Sequence, residues 1–458
     1  MAARWRVVVK FRKGLAIPYA DGVQDWLREN AGDELEALSS LLSRVRIDRM
    51  IRSVEGKSLD ELLNAAFPRR PPGDAPLKRF FGTLHDSREE ALAVAAAFRK
   101  SKLVETAYVE SGAGERPPNP RVAAQGYRRP ARHGIDADFA ATVPGGTGAG
   151  ERMIDIEQGW HSAHEDFANA ARPAPALVSG HSQAWREHGT RVLGVILMRD
   201  NGTGGLGIVH DVTAELVSEW RAADSWNRVE AIAAAAIRLN AGDVLLIEGQ
   251  AAATGGFPVF AESAIEEMSG LPVEYDDAVF EAILTATSKG IVVIEPAGNA
   301  GIELDRLLDR SGAAFLARGS AALRDSGAVF VTGAEAPPHH VRYRASNTNH
   351  GSRVDCFAWG SGVFTADDPA LSDPYTNGFS LTSAAAAIVA GAAVSVQGMA
   401  VGAGLARFTP AAIRVVLCDP AVNTAPDPTT IGAVGFMPNL RGIHGKYIAP
   451  AAAPTPGT

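Results

Sequence analysis

Cysteine is scarce: Cys356 and Cys418 are the only two in 458 residues. A disulfide scaffold needs several bridges in a short chain, so that class is excluded, and two buried, unbridged thiols are expected. Positive charge is also short. Lys and Arg number 44 against 52 Asp and Glu, a net charge of −8. A protein that neutralises phosphates needs a basic surface, so neither nucleic acid nor an anionic membrane is an expected partner. No apolar run reaches the roughly 18 residues of a membrane span; the nearest, residues 384–394, is too short. The N-terminal segment MAARWRVVVKF lacks an apolar core of the signal-peptide kind. The expected location is the cytoplasm, or outside by an unconventional route. What is present is ordinary for a globular chain: 46% hydrophobic and 21% charged residues, in a length that suits two to four domains of roughly 100–200 residues.

Three blocks follow one another. Residues 1–112 read as a small α+β domain, with strands at 4–11, 45–51, 79–84 and 104–109 and helices at 23–42 and 87–100. Ser87 and Glu90 form a capping box at the start of the second helix. The order β-α-β-β-α-β is ferredoxin-like, interrupted by a Pro/Arg-rich insertion at 67–76. Residues 113–149, rich in Pro and Gly, read as a linker. Residues 150–448 alternate short apolar runs (152–156, 244–248, 291–295, 328–332) with helical patterns such as 229–239 and 276–289. That alternation implies an α/β fold, a mostly parallel sheet with helices on both faces. The Ala/Pro-rich tail, 449–458, is expected to be disordered.

Four segments of the third block carry groups suited to chemistry. Asp155 stands near the carboxyl end of a buried strand, where open α/β sheets place functional groups; taken alone it also reads as a turn residue. His188-Gly189-Thr190 opens a helical pattern whose small residues let an imidazole sit close to the sheet. Asn299, in Pro296-Ala297-Gly298-Asn299, follows a strand, and its amide can donate to an oxyanion; the same string is also an ordinary turn. Ser383 begins a helix of small residues, at the positive end of the helix dipole; a capping role would suit it equally.

Together, in the order Asp155, His188, Asn299, Ser383, these segments make residues 149–425 resemble the subtilisin-like (subtilase) serine peptidases. His164-Glu165-Asp166-Phe167 and the stretch Val354-Asp355-Cys356-Phe357-Ala358-Trp359-Gly360 are similar to further family strings. The resemblance implies a subtilisin-like fold and peptide-bond hydrolysis by a triad of Asp155, His188 and Ser383, with Asn299 as oxyanion donor. It also implies a polypeptide substrate, bound along 244–250 by main-chain bonds. Glu248, Gly249, Gln250, Pro296, Gly298 and Leu381 would border the substrate, with Glu248 and Glu295 pointing to a basic P1 residue. No cofactor is required for the chemistry. The N-terminal block resembles a subtilase propeptide, which implies an intramolecular inhibitor and folding chaperone released by cleavage in the linker.

The chain departs from the family pattern at two places. The usual Asp-Thr/Ser-Gly is here Asp155-Ile156-Glu157, and in the usual Gly-Thr-Ser-x-Ala-x-Pro, Leu381 replaces the Gly and Ala387 the Pro. An inactive, peptide- or partner-binding subtilase is therefore the alternative function. Residues 202–207 match G-x-G-x-x-G, but they follow a helical pattern rather than a strand, which argues against a dinucleotide site. The loop 199–210 instead resembles a subtilase calcium loop, which would make Asp166 and Asn201 ligands. His161, His164 and His181 fit no zinc spacing, and His339-His340 has no visible partner.

Overall fold

The computed structural model describes residues 5–30, 38–52, 56–66, 76–110, 119–254, 259–261, 267–337 and 342–449. The chain divides into two compact units, Met1–Arg116 and Pro117–Thr458. The insertion at 67–75, His339-His340 and the tail from 450 lie outside the described residues.

Alternation along β1 (Trp5–Phe11) sends Val7, Val9 and Phe11 into one apolar cluster, as the two-residue period of a strand requires. β1 is central in an antiparallel sheet with β2 (Asp48–Arg49), β3 (Phe80–His85) and β4 (Val104–Val109), in the order β2-β3-β1-β4. Helix α1 (Gln24–Asn30), the turn α2 (Ser39–Leu42) and α3 (Gly56–Ala66) precede β3. The expected single helix over 23–42 is represented by α1 and α2, with 31–37 outside the described residues. Helix α4 (Arg88–Arg99) starts at Ser87, whose Oγ accepts from the Glu90 N–H, and turns Ala91, Val94, Ala95 and Phe98 onto the sheet.

The second unit is built on seven parallel strands: β5 (Arg152–Glu157), β6 (Ala176–Ser179), β7 (Thr213–Ser218), β8 (Val244–Ile247), β9 (Val292–Pro296), β10 (Val329–Ala334) and β11 (Cys356–Trp359). Their order is β11-β10-β9-β8-β5-β7-β6. Successive side chains feed two cores. Ile154, Ile156, Leu245, Ile247 and Val293 meet α6 (Arg228–Arg238) and α7 (Asp277–Ser288). Met153, Val244, Leu246, Val292 and Ile294 meet α5 (Arg186–Leu197) and α8 (Leu381–Gly402). This is the α/β architecture expected from the alternating pattern.

Helix α8 is longer than the apolar run in the sequence, because Ser395 and Gln397 continue it while buried. Ser395 Oγ donates to Gly146 O (2.9 Å), and Gln397 Nε2 donates to Gly242 O (3.0 Å) and Phe408 O (2.9 Å). At 22 residues α8 is long and apolar enough to cross a membrane by length and composition, yet nearly all of it is enclosed by the second unit.

The linker expected at 113–149 is corrected from residue 119 onward, where the chain is packed into the second unit. Tyr127 and Arg128 are buried. Tyr127 Oη donates to Phe364 O (3.1 Å), and Arg128 Nη1 donates to Leu206 O (3.0 Å) and Gly207 O (2.7 Å). The glycines there serve close approach rather than flexibility: a Cβ on Gly145 would lie 1.9 Å from Gly398 O in α8. Cys356 and Cys418 are both free, the first buried and the second partly exposed.

Candidate active site

Function gathers at the carboxyl ends of the central strands, where β5, β8 and β9 stop and α5 and α8 begin. His188 lies in the first turn of α5. Gly189 lets that turn close on the end of β5, since a Cβ there would lie 2.3 Å from Gly159 O and 2.6 Å from Trp160 Cδ1. The imidazole Nδ1 consequently sits 2.5 Å from Glu157 Oε1.

Asp155 was the expected partner of His188, and the structure corrects this. Asp155 and Glu157 are two residues apart on one strand, so their side chains share a face. Asp155 is one step deeper and completely buried. Its Oδ2 accepts from Trp160 Nε1 (2.8 Å), and its Oδ1 has no hydrogen-bond partner. Burial pushes the Asp155 carboxyl well above the usual range, and the nearby Glu157 adds to this. Asp155 thus lies under the indole, hydrogen-bonded to Trp160 rather than to His188.

Glu157 is also raised by burial and by the charge of Glu219, with Arg228 pulling the other way. Burial lowers His188. Burial works against the charge of both groups, and the short contact between them works in its favour. The Arg228–Glu219 ion pair beside them is itself buried, with Arg228 Nε 2.5 Å from Glu219 Oε1.

Ser383 is the third residue of α8 and 7% exposed. Asn299 is fixed beside it: its Oδ1 accepts from the Thr382 N–H (3.1 Å) and from Thr382 Oγ1 (2.7 Å). A backbone N–H must meet an oxygen, so these bonds orient the carboxamide and leave Nδ2 to donate elsewhere. Ser380 makes no side-chain capping bond at the start of α8; the first-turn N–H groups of a helix have no intrahelical partners.

Leu381 holds a left-handed backbone, φ 65°, at the place where the family pattern has Gly. For a Leu this conformation costs about 1–2 kcal/mol. Gly in a helix is normally about 1 kcal/mol worse than Ala. Here the order should invert, with Leu381→Gly at least as stable as Leu381→Ala in urea denaturation; a Gly variant clearly less stable than Ala would show the φ to be unstrained.

His188 and Ser383 line one cleft of about 350 Å³ with Glu157, Gln158, Trp185, Arg228, Glu248, Gly249 and Gln250. Of the expected substrate residues, Glu248, Gly249 and Gln250 are therefore at the cleft, whereas Pro296, Gly298 and Leu381 are not among its lining. Glu295 is wholly buried, its carboxyl raised by burial and by the charge of Glu274, and it is not among the cleft lining. Glu157, Trp185 and Arg228 were missed from sequence. Glu157 had a signal: Glu157-Gln158-Gly159 keeps the acid-x-Gly spacing that Asp155 lacks.

Asp166 and Asn201, the expected calcium ligands, are both engaged with neighbouring protein groups. Asn201 turns its amide nitrogen toward Glu165 O and Ala168 O (3.2 and 3.3 Å), and its Oδ1 accepts from the Thr203 N–H (2.9 Å). Asp166 Oδ2 accepts from the Gly205 N–H (3.0 Å), its Oδ1 has no hydrogen-bond partner, and burial raises its carboxyl to about 8. No group of three or more His, Cys, Asp or Glu that could hold a metal occurs among the described residues. The glycine loop follows α5, not a strand, and its N–H groups at Gly202, Gly205 and Leu206 are already bonded to Asn119, Asp166 and Gln125. It offers no free cradle for a phosphate.

The model of the subtilase family matches residues 161–436, more than half of the chain. The match begins just after the acidic segment 155–160. No curated protein matches the chain. Among solved structures, a protease from Pseudoalteromonas arctica is similar at 18% identity and a TM-score of 0.50, over 72% of this chain and 99% of that one. A cold-adapted subtilisin-like serine proteinase is 21% identical at a TM-score of 0.44, over 64% of this chain and 89% of the other. At 18% identity the likeness to the first of these is one of fold.

Proposed function

The chain belongs to the subtilase family of serine proteases, and from that premise we propose that it is an active endopeptidase whose triad is Ser383, His188 and Glu157. The 2.5 Å bond between Glu157 and His188, in a cleft that Ser383 also lines, carries this reading. Ser383 Oγ attacks the scissile carbonyl and passes its proton to His188 Nε2. His188 returns that proton to the leaving amine, and water then repeats the sequence on the acyl-enzyme. Glu157 positions the ring through Nδ1 and stabilises the imidazolium. Asn299 Nδ2 and the start of α8 supply donors for the tetrahedral oxyanion. Extended substrate would lie along the end of β8, adding main-chain bonds. None of these steps calls on a metal.

The N-terminal unit is proposed to be the propeptide, in keeping with its β2-β3-β1-β4 antiparallel sheet. Cleavage is then expected at 111–118, because residues from 119 onward are tied into the second unit by Asn119, Gln125 and Arg128. The competing reading, an idle peptide-binding subtilase, draws on Leu381 in its strained conformation.

A fluorophosphonate probe with intact-mass measurement tests both proposals. Wild type is expected to be labelled and to lose its N-terminal unit by a cut at 111–118, while Ser383→Ala does neither. A folded wild type freed of residues 1–118 that still resists the probe would leave the idle reading standing.

A further inference from the structure

The triad leaves one acidic group of the cleft without work. Glu248 follows β8, is only 5% exposed, and lines the cleft with His188 and Ser383. Neither of its carboxyl oxygens has a hydrogen-bond partner. Its surroundings are acidic: the charges of Glu157 and Asp155 of β5 raise its carboxyl, while His188 of α5 and the Ser383 hydroxyl of α8 lower it. Arg228 of α6 is the cation of the lining, and it is already committed. It pairs with Glu219 (2.5 Å) and donates through Nη1 to Gln250 O (3.2 Å).

A buried carboxyl with two idle acceptor oxygens is costly unless a partner arrives. Burial pushes the Glu248 carboxyl well above the usual range, and a cation beside it would oppose that shift. The partner must bring several donors and a positive charge. Trp185, 64% exposed on the rim of the same cleft, offers a flat face over which an alkyl stem or a cation can lie.

Resting on the peptidase reading above, we propose that Glu248 is the cation-recognising residue of the cleft, and that the enzyme selects polypeptides carrying an ammonium or guanidinium group close to the scissile bond. The group is either a Lys or Arg side chain or a free α-ammonium. One acceptor set suits all three, and Glu157 is not available for the task because His188 occupies it.

The test compares peptides identical except for Lys, Arg or norleucine at each position flanking the cut, each with a free and an acetylated N-terminus. Norleucine keeps the alkyl stem and removes the charge. For wild type, kcat/KM should favour the cationic peptides by roughly 10- to 100-fold, as a charge-assisted hydrogen bond does, and mostly through KM. In Glu248→Gln the ratio of cationic to norleucine peptide should fall to near one; because each ratio is internal to a variant, a general loss of rate cancels. Preference that disappears on acetylation assigns the α-ammonium, and preference that survives it assigns the side chain.

Should Glu248→Gln fail to fold, wild type titrated calorimetrically with n-butylammonium and with 1-butanol gives the same discrimination, with binding of the cation alone expected. Equal cleavage of Lys, Arg and norleucine peptides by a labelled enzyme overturns the proposal, as does a preference that persists in Glu248→Gln or equal binding of both small probes. An enzyme that no fluorophosphonate labels would overturn the peptidase reading instead, while the calorimetric arm would still report on Glu248.

Discussion

Glu157→Gln should lower kcat by about 10⁴, whereas Asp155→Asn should leave it within about tenfold, less than about 1.4 kcal/mol on the barrier. The contrast follows from two bonds. Glu157 Oε1 lies 2.5 Å from Nδ1 of the His188 ring. A Gln there offers either a neutral oxygen or an NH₂ group, so the imidazolium loses its counter-charge and the tautomer its determinant. Asp155 is a buried acid, pushed up by burial, whose bonded oxygen receives an indole N–H, and an Asn side chain keeps that acceptor in the same shape. Glu157→Asp, with the charge one methylene shorter, should recover part of the loss. The strongly hydrogen-bonded Nδ1 proton of His188, visible far downfield by NMR, should vanish in Glu157→Gln and persist in Asp155→Asn. Reversed magnitudes would return the orienting role to Asp155.

The second large effect is expected at Asn299. Asn299→Ala should reduce kcat by roughly 10²–10³ with little change in KM, the loss that removal of the corresponding donor produces in subtilisin, a member of the same family. A donor that strengthens only as charge develops on the carbonyl oxygen acts on the transition state, so the effect belongs in kcat. The two bonds from Thr382 to Asn299 Oδ1 make a subsidiary expectation. Thr382→Val removes the hydroxyl bond and keeps the backbone one, so its effect should be a small fraction of that of Asn299→Ala. A rise in KM at unchanged kcat for Asn299→Ala would place the amide in ground-state binding instead.

Much of this site was legible in the residues. His188 and Ser383 were marked by small neighbours, which permit helix starts to press against strand ends: Gly189 before Gly159 and Trp160, and the alanines of α8 in the core. The acid that contacts His188 was not distinguished in the sequence because a strand repeats every two residues. Asp155 and Glu157 offer the same carboxylate to the same face, and depth alone distinguishes them. The Pro/Gly-rich stretch before β5 was misread for a related reason. Composition reports what a segment can do alone, and residues 119–149 are ordered by surfaces contributed by Leu206, Gly207, Phe364 and α8, far along the chain.

Local sequence determined the repertoire of this protein: strands that alternate with helices and so must lie parallel, a capped helix at Ser87, and a serine, a histidine and an amide at element ends where backbone donors are free. Only the tertiary structure decided which of these groups meet. The choice between two carboxyls on one strand and the isolation of Glu248 depend on distances set by packing between residues tens of positions apart, and Arg228 reaches Glu219 from a different element. Burial, which fixes the charge each carboxyl carries, is a property of that packing and has no local signature.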